Sequence, residues 1–157
     1  MTKGKKVSDS FTEQYHIVMS GDINGSGRLF GGRLLAWIDE ISGIVAMRHC
    51  GGTVTTVAID NLRFKAGAYL NDVVVLEGRV TYTGRTSMEV RVDTYVEGHD
   101  GMRRPINRAY FSMVGMDDND RPAPVPPIIL ENEQQEAEYE AAKKRIQYRK
   151  QRSQEGF

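Results

Sequence analysis

The sequence predicts an α+β domain, on three observations. A single long apolar segment with helical periodicity spans Phe30 to about Arg48; four segments with a period near two follow it; and one short mixed segment precedes it. With 157 residues, the chain is long enough to bury a core as one domain.

The helix rests on Leu34, Ile38, Ile41 and Val45, which recur on one face, with Trp37 and Ile44 widening it. Few charges interrupt it, so it is expected to be buried on most sides, and Gly51-Gly52 end it. Ahead of it, a strand is expected at Tyr15–Ser20, then a polar, glycine-rich loop. Behind it, "TVTTVAIDNLRF" reads as a strand and "VVVLEGRVTYTG" as the next, with Val74, Leu76, Val80 and Tyr82 on one face. "TSMEVRVDTYVEG" alternates most regularly, with Met88, Val90, Val92, Thr94 and Val96 opposite Glu89, Arg91, Asp93 and Glu97. "HDGMRRPIN" reads as a hairpin loop, and "RAYFSMVGM", apolar on both faces, as a central strand. "DDNDRPAPVPP" is a turn and a proline-rich extended linker.

From Glu131 a tail runs acidic then basic, in accord with a helix dipole, with Glu140 and Lys144 spaced for pairing. Its thin apolar face predicts a loosely docked or partner-supported helix. A mostly antiparallel sheet has one face to cover, and one long helix is available to cover it. A curved, mostly antiparallel sheet wrapped around one long central helix is the hotdog arrangement. Residues 1–10 are expected to be a flexible N-terminus, 11–127 the folded domain and 128–157 a charged helix or tail.

Composition narrows the partners. With 21 basic and 21 acidic residues the formal charge is zero, so no broad attraction to nucleic acid or anionic membrane is indicated. Cys50 is alone, which excludes an intrachain disulfide framework and suits a reducing compartment. The start "MTKGKKVSDS" is basic with no apolar segment behind it, so a cytoplasmic protein is expected.

The chemistry concentrates in "NGSGRLFGGRLLAWIDE", Asn24–Glu40. Gly27 and Gly32 have P-loop spacing, but Arg33 and Leu34 follow where lysine and a hydroxyl residue are needed. The dinucleotide fingerprint fails as well, with Phe30 in place of its third glycine. A second helical stripe holds Ala36, Asp39, Gly43 and Ala46, small residues that let another backbone approach. Asp39 has no cation three or four positions away, so it either caps or pairs at a distance or serves as a base in a tight contact. Gly31 and Gly32 stand in the first helical turn, where N–H groups lack intrahelical partners. They permit either close packing or an oxyanion hole for attack on an acyl carbon. Asn24 offers a carboxamide to a water or carbonyl, or forms an Asn-Gly turn. His16, His49 and His99 show no metal-ligand spacing, and no G-x-S-x-G elbow occurs.

These residues resemble the signature of hotdog-fold acyl-CoA thioesterases, the group of cytosolic acyl-CoA hydrolases and their bacterial relatives. The likeness runs from about Phe11 to Pro127, through "TVAIDNLRFKAGAYLNDVVVLEGRVTYTGRTSMEV" and "RRPINRAYFSMVGMDDNDRPAPVPP". It implies hydrolysis of acyl-CoA to free acid and CoA, with Asp39 as general base or nucleophile and Asn24 as its partner from the opposite subunit. It implies that the thioester carbonyl is held near Gly31 and Gly32, and that coenzyme A lies along the subunit junction near Gly84, Arg85, Thr86 and Ser87. No cofactor or metal is implied, since coenzyme A is part of the substrate. A homodimer at minimum is implied, commonly assembled into a hexamer as a trimer of dimers, with no nucleic-acid or membrane partner. Pro105-Ile106 replaces a more polar stretch usual in the family, which leaves Arg103 and Arg104 without an assigned phosphate role. The alternatives are a non-catalytic acyl-CoA sensor or an oligomerisation module on the same fold. A DNA-binding sensor would need more than the ten residues of "MTKGKKVSDS".

Overall fold

The computed structural model describes residues 3–157. A five-stranded antiparallel sheet runs in the order β2-β4-β5-β6-β3, with β2 at Thr12–Ile17, β3 at Thr53–Phe64, β4 at Val73–Thr83, β5 at Ser87–Glu97 and β6 at Arg103–Met116. The long helix α2, Gly31–Cys50, packs on one face of this sheet. The predicted hotdog architecture is therefore present. Leu34, Ile38, Ile41 and Val45 are all buried and meet Val74, Leu76, Val90, Val92 and Phe111 from the sheet. Each such aliphatic side chain contributes roughly 2 kcal/mol of transfer free energy. Gly78 lies where α2 crosses β4: a Cβ there would come within 2.8 Å of Val45, so helix and strand approach more closely than a side chain allows. Gly51, with φ of 72°, closes the helix by donating its N–H to the Met47 carbonyl.

Several expectations shift. The first sheet strand ends at Ile17 rather than Ser20. Asp22 accepts the Met19 N–H at 2.9 Å, turning Ser20–Asp22 into one turn of 3₁₀ helix. Tyr82 does not join Val74, Leu76 and Val80 on the core face: a bulge between Val80 and Tyr82 reverses the alternation and turns its ring outward. The sixth strand begins earlier, at Arg103, because the turn closes between Gly98 and Met102; a register shift at Thr94/Tyr95 accommodates Pro105. β6 lies between β5 and β3, as its apolar character on both faces requires.

Lys5–Ser10 belong to the stretch expected as a flexible N-terminus. They form strand β1 (Lys5–Lys6), parallel to β7 (Ile128–Ile129), and helical turn α1 (Val7–Ser10), whose Val7 and Ser10 are buried. Met1 and Thr2, the first two residues of that stretch, lie outside the described residues.

The tail forms α3, Glu133–Glu155, capped by Asn132, whose side chain accepts the Gln135 N–H. It lies across the sheet face opposite α2 and is held mainly by charge, with Tyr139 packed on the Tyr82 ring at 4.8 Å. Ala142 is its one buried residue. Arg145 stacks on the Tyr110 ring at 3.7 Å and reaches the buried Glu89 carboxylate at 2.7 Å. Arg149 and Arg152 both grip Asp60, at 2.7 and 2.5 Å. The expected pairing of Glu140 with Lys144 is replaced by Glu140–Lys143 at 2.9 Å, one residue closer on the helix surface.

Candidate active site

The face of α2 away from the core sets the site. Ala36 and Asp39 are exposed and Gly43 is half-buried, while Ala46 is buried. The helix is thus not buried on most sides, because one sheet covers only one side of a cylinder. Asp39 does not sit in a tight contact within the chain. Its carboxylate lies beside β3, where Thr56 donates a hydrogen bond from Oγ1 to Asp39 Oδ1 at 3.2 Å. Thr56 also lies 3.3 Å from Met113 Sδ, and the strand carries a bulge between Thr56 and Ala58 that re-aims its side chains. Thr56 escaped the sequence reading: a threonine in a strand is ordinary, and only the crossing of α2 over β3 gives it a carboxylate to serve. Among the described residues Asp39 has no basic partner.

At the other end of the same helix, Asn24 organises the preceding loop. Its Oδ1 accepts from Ser26 N, Ser26 Oγ and Arg28 N at 2.9, 2.8 and 3.2 Å. Because backbone N–H groups point at it, that atom is the oxygen, and the exposed NH₂ faces outward as a donor. The Asn-Gly turn and the available carboxamide are therefore both realised. Asp22 anchors the loop to the helix: its backbone carbonyl accepts from Phe30 N at 2.8 Å, and its carboxylate pairs with Arg33 at 3.1 Å.

Arg33 and Leu34 N–H groups bond to the Phe30 carbonyl, whereas those of Gly31 and Gly32 have no acceptor among the described residues. They are the unpaired donors that a helix N-terminus leaves over. Gly32 answers to packing too, since a Cβ there would fall 2.5 Å from the Phe30 ring. Gly31 lies against Phe64, at the far end of β3. A cavity of about 210 Å³ opens beside this terminus, lined by Asn24, Leu34, Phe64 and Lys65 among others.

The structure does not bring Asn24 or Gly31 to Asp39 within one chain. Eight helical steps separate Gly31 from Asp39, about 12 Å along the axis. The Gly84–Ser87 turn lies at the end of the sheet away from Gly31. Thr86 and Arg85 accept backbone bonds from Gly115 and Val125, and Gly115 pairs with Val54 near the start of β3. The Arg85 side chain is exposed and has no hydrogen-bond or ion-pair partner among the described residues.

The histidines are scattered. His49 is buried with Nε2 2.7 Å from the Pro126 carbonyl, His16 stacks on Trp37 at 4.1 Å, and His99 is exposed in the turn after β5. Burial holds both His16 and His49 below the ordinary imidazole value of 6.5. Arg103, which the sequence left without an assigned phosphate role, is engaged with Glu13, Glu77 and Glu97.

This architecture recurs in known proteins. The family model of the thioesterase superfamily matches residues 26–102. The uncharacterized acyl-CoA thioester hydrolase YkhA of Bacillus subtilis (strain 168) is 36% identical over 132 residues, 83% of this chain and 77% of that protein. A hexameric acyl-CoA thioesterase, crystallised in its apo form, matches with a TM-score of 0.92 at 39% identity, over 96% of this chain and 97% of its own. An acyl-CoA hydrolase from Staphylococcus aureus, solved with butyryl coenzyme A, coenzyme A and coenzyme A disulfide, matches with a TM-score of 0.91 at 31% identity, over 97% and 93%. Variants of that enzyme with one asparagine, one aspartate or one threonine replaced by alanine have also been solved, the asparagine variant in complex with coenzyme A. With the fold and a similarity that spans most of both chains in agreement, this chain belongs to the hotdog-fold acyl-CoA thioester hydrolase family.

Proposed function

We propose that this chain hydrolyses acyl-CoA thioesters to free acid and CoA, at a site shared between two copies. The observation that carries the proposal is Asp39, an exposed carboxylate with no cationic partner among the described residues, oriented by Thr56 at the seam of α2 and an open sheet edge. A base or nucleophile and its oxyanion donors must flank one carbonyl carbon, each about 3 Å from the reacting atoms. The free N–H groups at Gly31 and Gly32 lie too far from Asp39 of the same chain to do so.

A second copy supplies them. β3 is a twelve-residue edge strand with Val57, Ile59 and Phe64 exposed, a template for pairing with its own twofold mate. Antiparallel pairing of two β3 strands sets the Phe64 end of one beside the Thr53 end of the other. Asn24, Gly31 and Gly32 of one copy then approach Asp39, Thr56 and the Gly84–Ser87 turn of its mate. Asp39 either takes a proton from water or attacks the thioester carbon itself, while the N–H groups of Gly31 and Gly32 receive the negative charge on oxygen. Asn24 points its NH₂ at the carbonyl or the attacking water. The Gly84–Ser87 turn takes the pantetheine arm, with Ser87, Thr86 and Arg85 as polar contacts. This route uses a carboxylate and backbone donors and calls for no cofactor beyond the coenzyme A of the substrate.

The spacing of the substituted residues in the S. aureus hydrolase supports the same trio. Its asparagine, aspartate and threonine are separated by 15 and 17 positions, as Asn24, Asp39 and Thr56 are here. Further association of dimers into a hexamer, and a place in the cytoplasm, complete the proposal. Among the described residues no helix is long and apolar enough to cross a membrane.

The test is CoA-thiol release over an acyl-CoA chain-length panel, with Asn24→Ala and Asp39→Ala alone and mixed. Each variant is expected to lose activity, and the mixture to recover part of it through hybrid dimers carrying one intact site. Full activity in Asp39→Ala, or no recovery despite demonstrated subunit exchange, would overturn the shared site.

A further inference from the structure

The helix α3 crosses its sheet face diagonally and leaves it over an open edge. Tyr139 packs on Tyr82 of β4, Arg145 reaches Glu89 of β5, and Arg149 and Arg152 meet Asp60 on the edge strand β3. Beyond Arg152 the helix continues to Glu155 and ends at Gly156, whose φ is 86°. The Phe157 N–H returns to the Arg152 carbonyl at 2.9 Å, which fixes Phe157 in place with 87% of its surface exposed. From Arg152 to Gly156 the axis advances about 6 Å, whereas neighbouring strands lie about 4.8 Å apart. The tail Ser153–Phe157 thus overhangs the edge by about the width of one more strand. No strand of its own chain lies beyond β3 to support it, and all of residues 151–157 are exposed.

Beside α3, toward the Gly84–Ser87 end of the sheet, a groove of about 360 Å³ opens between helix and strands. Val57, Tyr82, Val114 and Ile146 give it apolar walls, and Arg149 and Lys150 give it positive charge. Val57 sits in the β3 bulge at the mouth of the groove and is 62% exposed. Arg149 is committed to Asp60, but the exposed Lys150 has no carboxylate partner among the described residues. Nor does Glu155 have a cation among them: its carboxylate accepts only from Gln151 Nε2, at 3.2 Å. Tail and groove are therefore complementary, an aromatic ring and a carboxylate against apolar walls and an ammonium. Lys150 and Glu155 cannot satisfy each other within one chain, because five helical positions set them about 140° apart around the axis.

We propose that Ser153–Phe157 of one copy seats in this groove of its twofold mate, so that the two α3 helices clasp the dimer reciprocally across the joined β3 strands. The proposal rests on the β3–β3 pairing of the proposed shared site. Pairing β3 along its full length, Thr53 beside Phe64, sets Asp60 of one copy opposite Val57 of the other. Since α3 reaches the edge at Asp60, its tail passes onto the second sheet beside the partner's Val57, at the mouth of the groove. Phe157 enters between the partner's Val57 and the partner's Ile146, and Glu155 faces the partner's Lys150. A twofold axis makes the exchange mutual, so each dimer carries the clasp twice. A second copy suits the groove because overhang, register and charge all come from the same chain.

Photocrosslinking of the full chain tests the clasp without turnover. A probe chain with Phe157 replaced by p-benzoylphenylalanine is mixed with isotope-labelled acceptor chain, allowed to exchange subunits and irradiated. Cross-links are expected from position 157 of the probe chain to acceptor peptides containing Val57, Val114 or Ile146. Lys150→Glu in the acceptor should lower their yield at least about threefold, by setting like charges together, and Glu155→Lys in the probe chain should restore it. That rescue acts between chains, so a merely structural effect of either substitution would not produce it. Cross-links confined to the probe's own chain, or a yield indifferent to both charge reversals, overturn the clasp. Activity recovered on mixing Asn24→Ala with Asp39→Ala, without these cross-links, removes the clasp and leaves the shared site standing. Cross-links of the expected kind without recovered activity uphold the clasp and remove the shared site.

Discussion

Replacing Thr56 by valine isolates what the strand contributes to the helix aspartate. Valine keeps the branched shape and strand preference of threonine and removes only the hydroxyl. The lost contact is one hydrogen bond to an ionised group, Thr56 Oγ1 to Asp39 Oδ1 at 3.2 Å, long for a charge-assisted bond and exposed within the chain. That geometry places it at the low end of the range for such bonds, about 1–1.5 kcal/mol. If the bond holds the carboxylate in its reactive orientation, the same energy appears in the barrier as about a tenfold loss of kcat/KM. Stability should barely change, since Thr56 buries little and leaves no buried group unpaired. The assay is CoA-thiol release at subsaturating acyl-CoA, beside a thermal melt of each protein. A variant that melts with the wild type and turns over within twofold of it, while Asp39→Ala is inactive, would show that Asp39 needs no orientation from β3.

Two further outcomes follow from the buried charges. Glu89 is 2% exposed and carries Arg145 and Thr81 on its carboxylate, so Glu89→Gln leaves a largely buried guanidinium without its nearest anion. Urea unfolding should show a loss of about 3 kcal/mol, and a loss below 1 kcal/mol would mean that α3 is not held by this pair. Acidification should also weaken the fold. His16 and His49 are depressed by burial, so the unfolded chain binds protons more readily than the folded one. Stability is then complete above about pH 6.5 and declines as the pH falls toward the depressed folded values. In His49→Gln the slope of unfolding free energy against pH between 6.5 and 5 should be shallower, and an unchanged slope would remove His49 from the account.

Reading the sequence alone recovered the elements whose residues report their own environment. Thr53–Phe64 matches the predicted strand to the residue, because alternation and flanking glycines mark a pleated segment locally. Met88, Val90, Val92, Thr94 and Val96 face the core as their period requires. The helix also declared itself, and so did the oddity of an aspartate with no local cation. Tyr82 was assigned to the wrong face because a bulge changes the phase of a strand, and bulges depend on the partner strand's register. Glu89 and Asp93 alternate with the apolar residues of β5, and both are nevertheless buried, at 2% and 3% exposure. Glu89 finds its arginine, Arg145, 56 residues away, and Asp93 adds Arg108, 15 residues away, to its neighbour Arg91; no local pattern announces the pairings with Arg145 and Arg108.

The same division runs through the site. Sequence by itself determined the inventory: Asn24, two glycines without side chains at a helix start, and a carboxylate two turns on. Tertiary structure alone decided that these cannot serve one carbonyl within one chain, because a helix rises only 1.5 Å per residue and is rigid. It also decided that Thr56 stands beside Asp39 and that the seam opens onto a free strand edge. Each is a meeting of elements distant along the chain. Periodicity tells each element which face to bury, but which residues it meets there is set by how the elements cross.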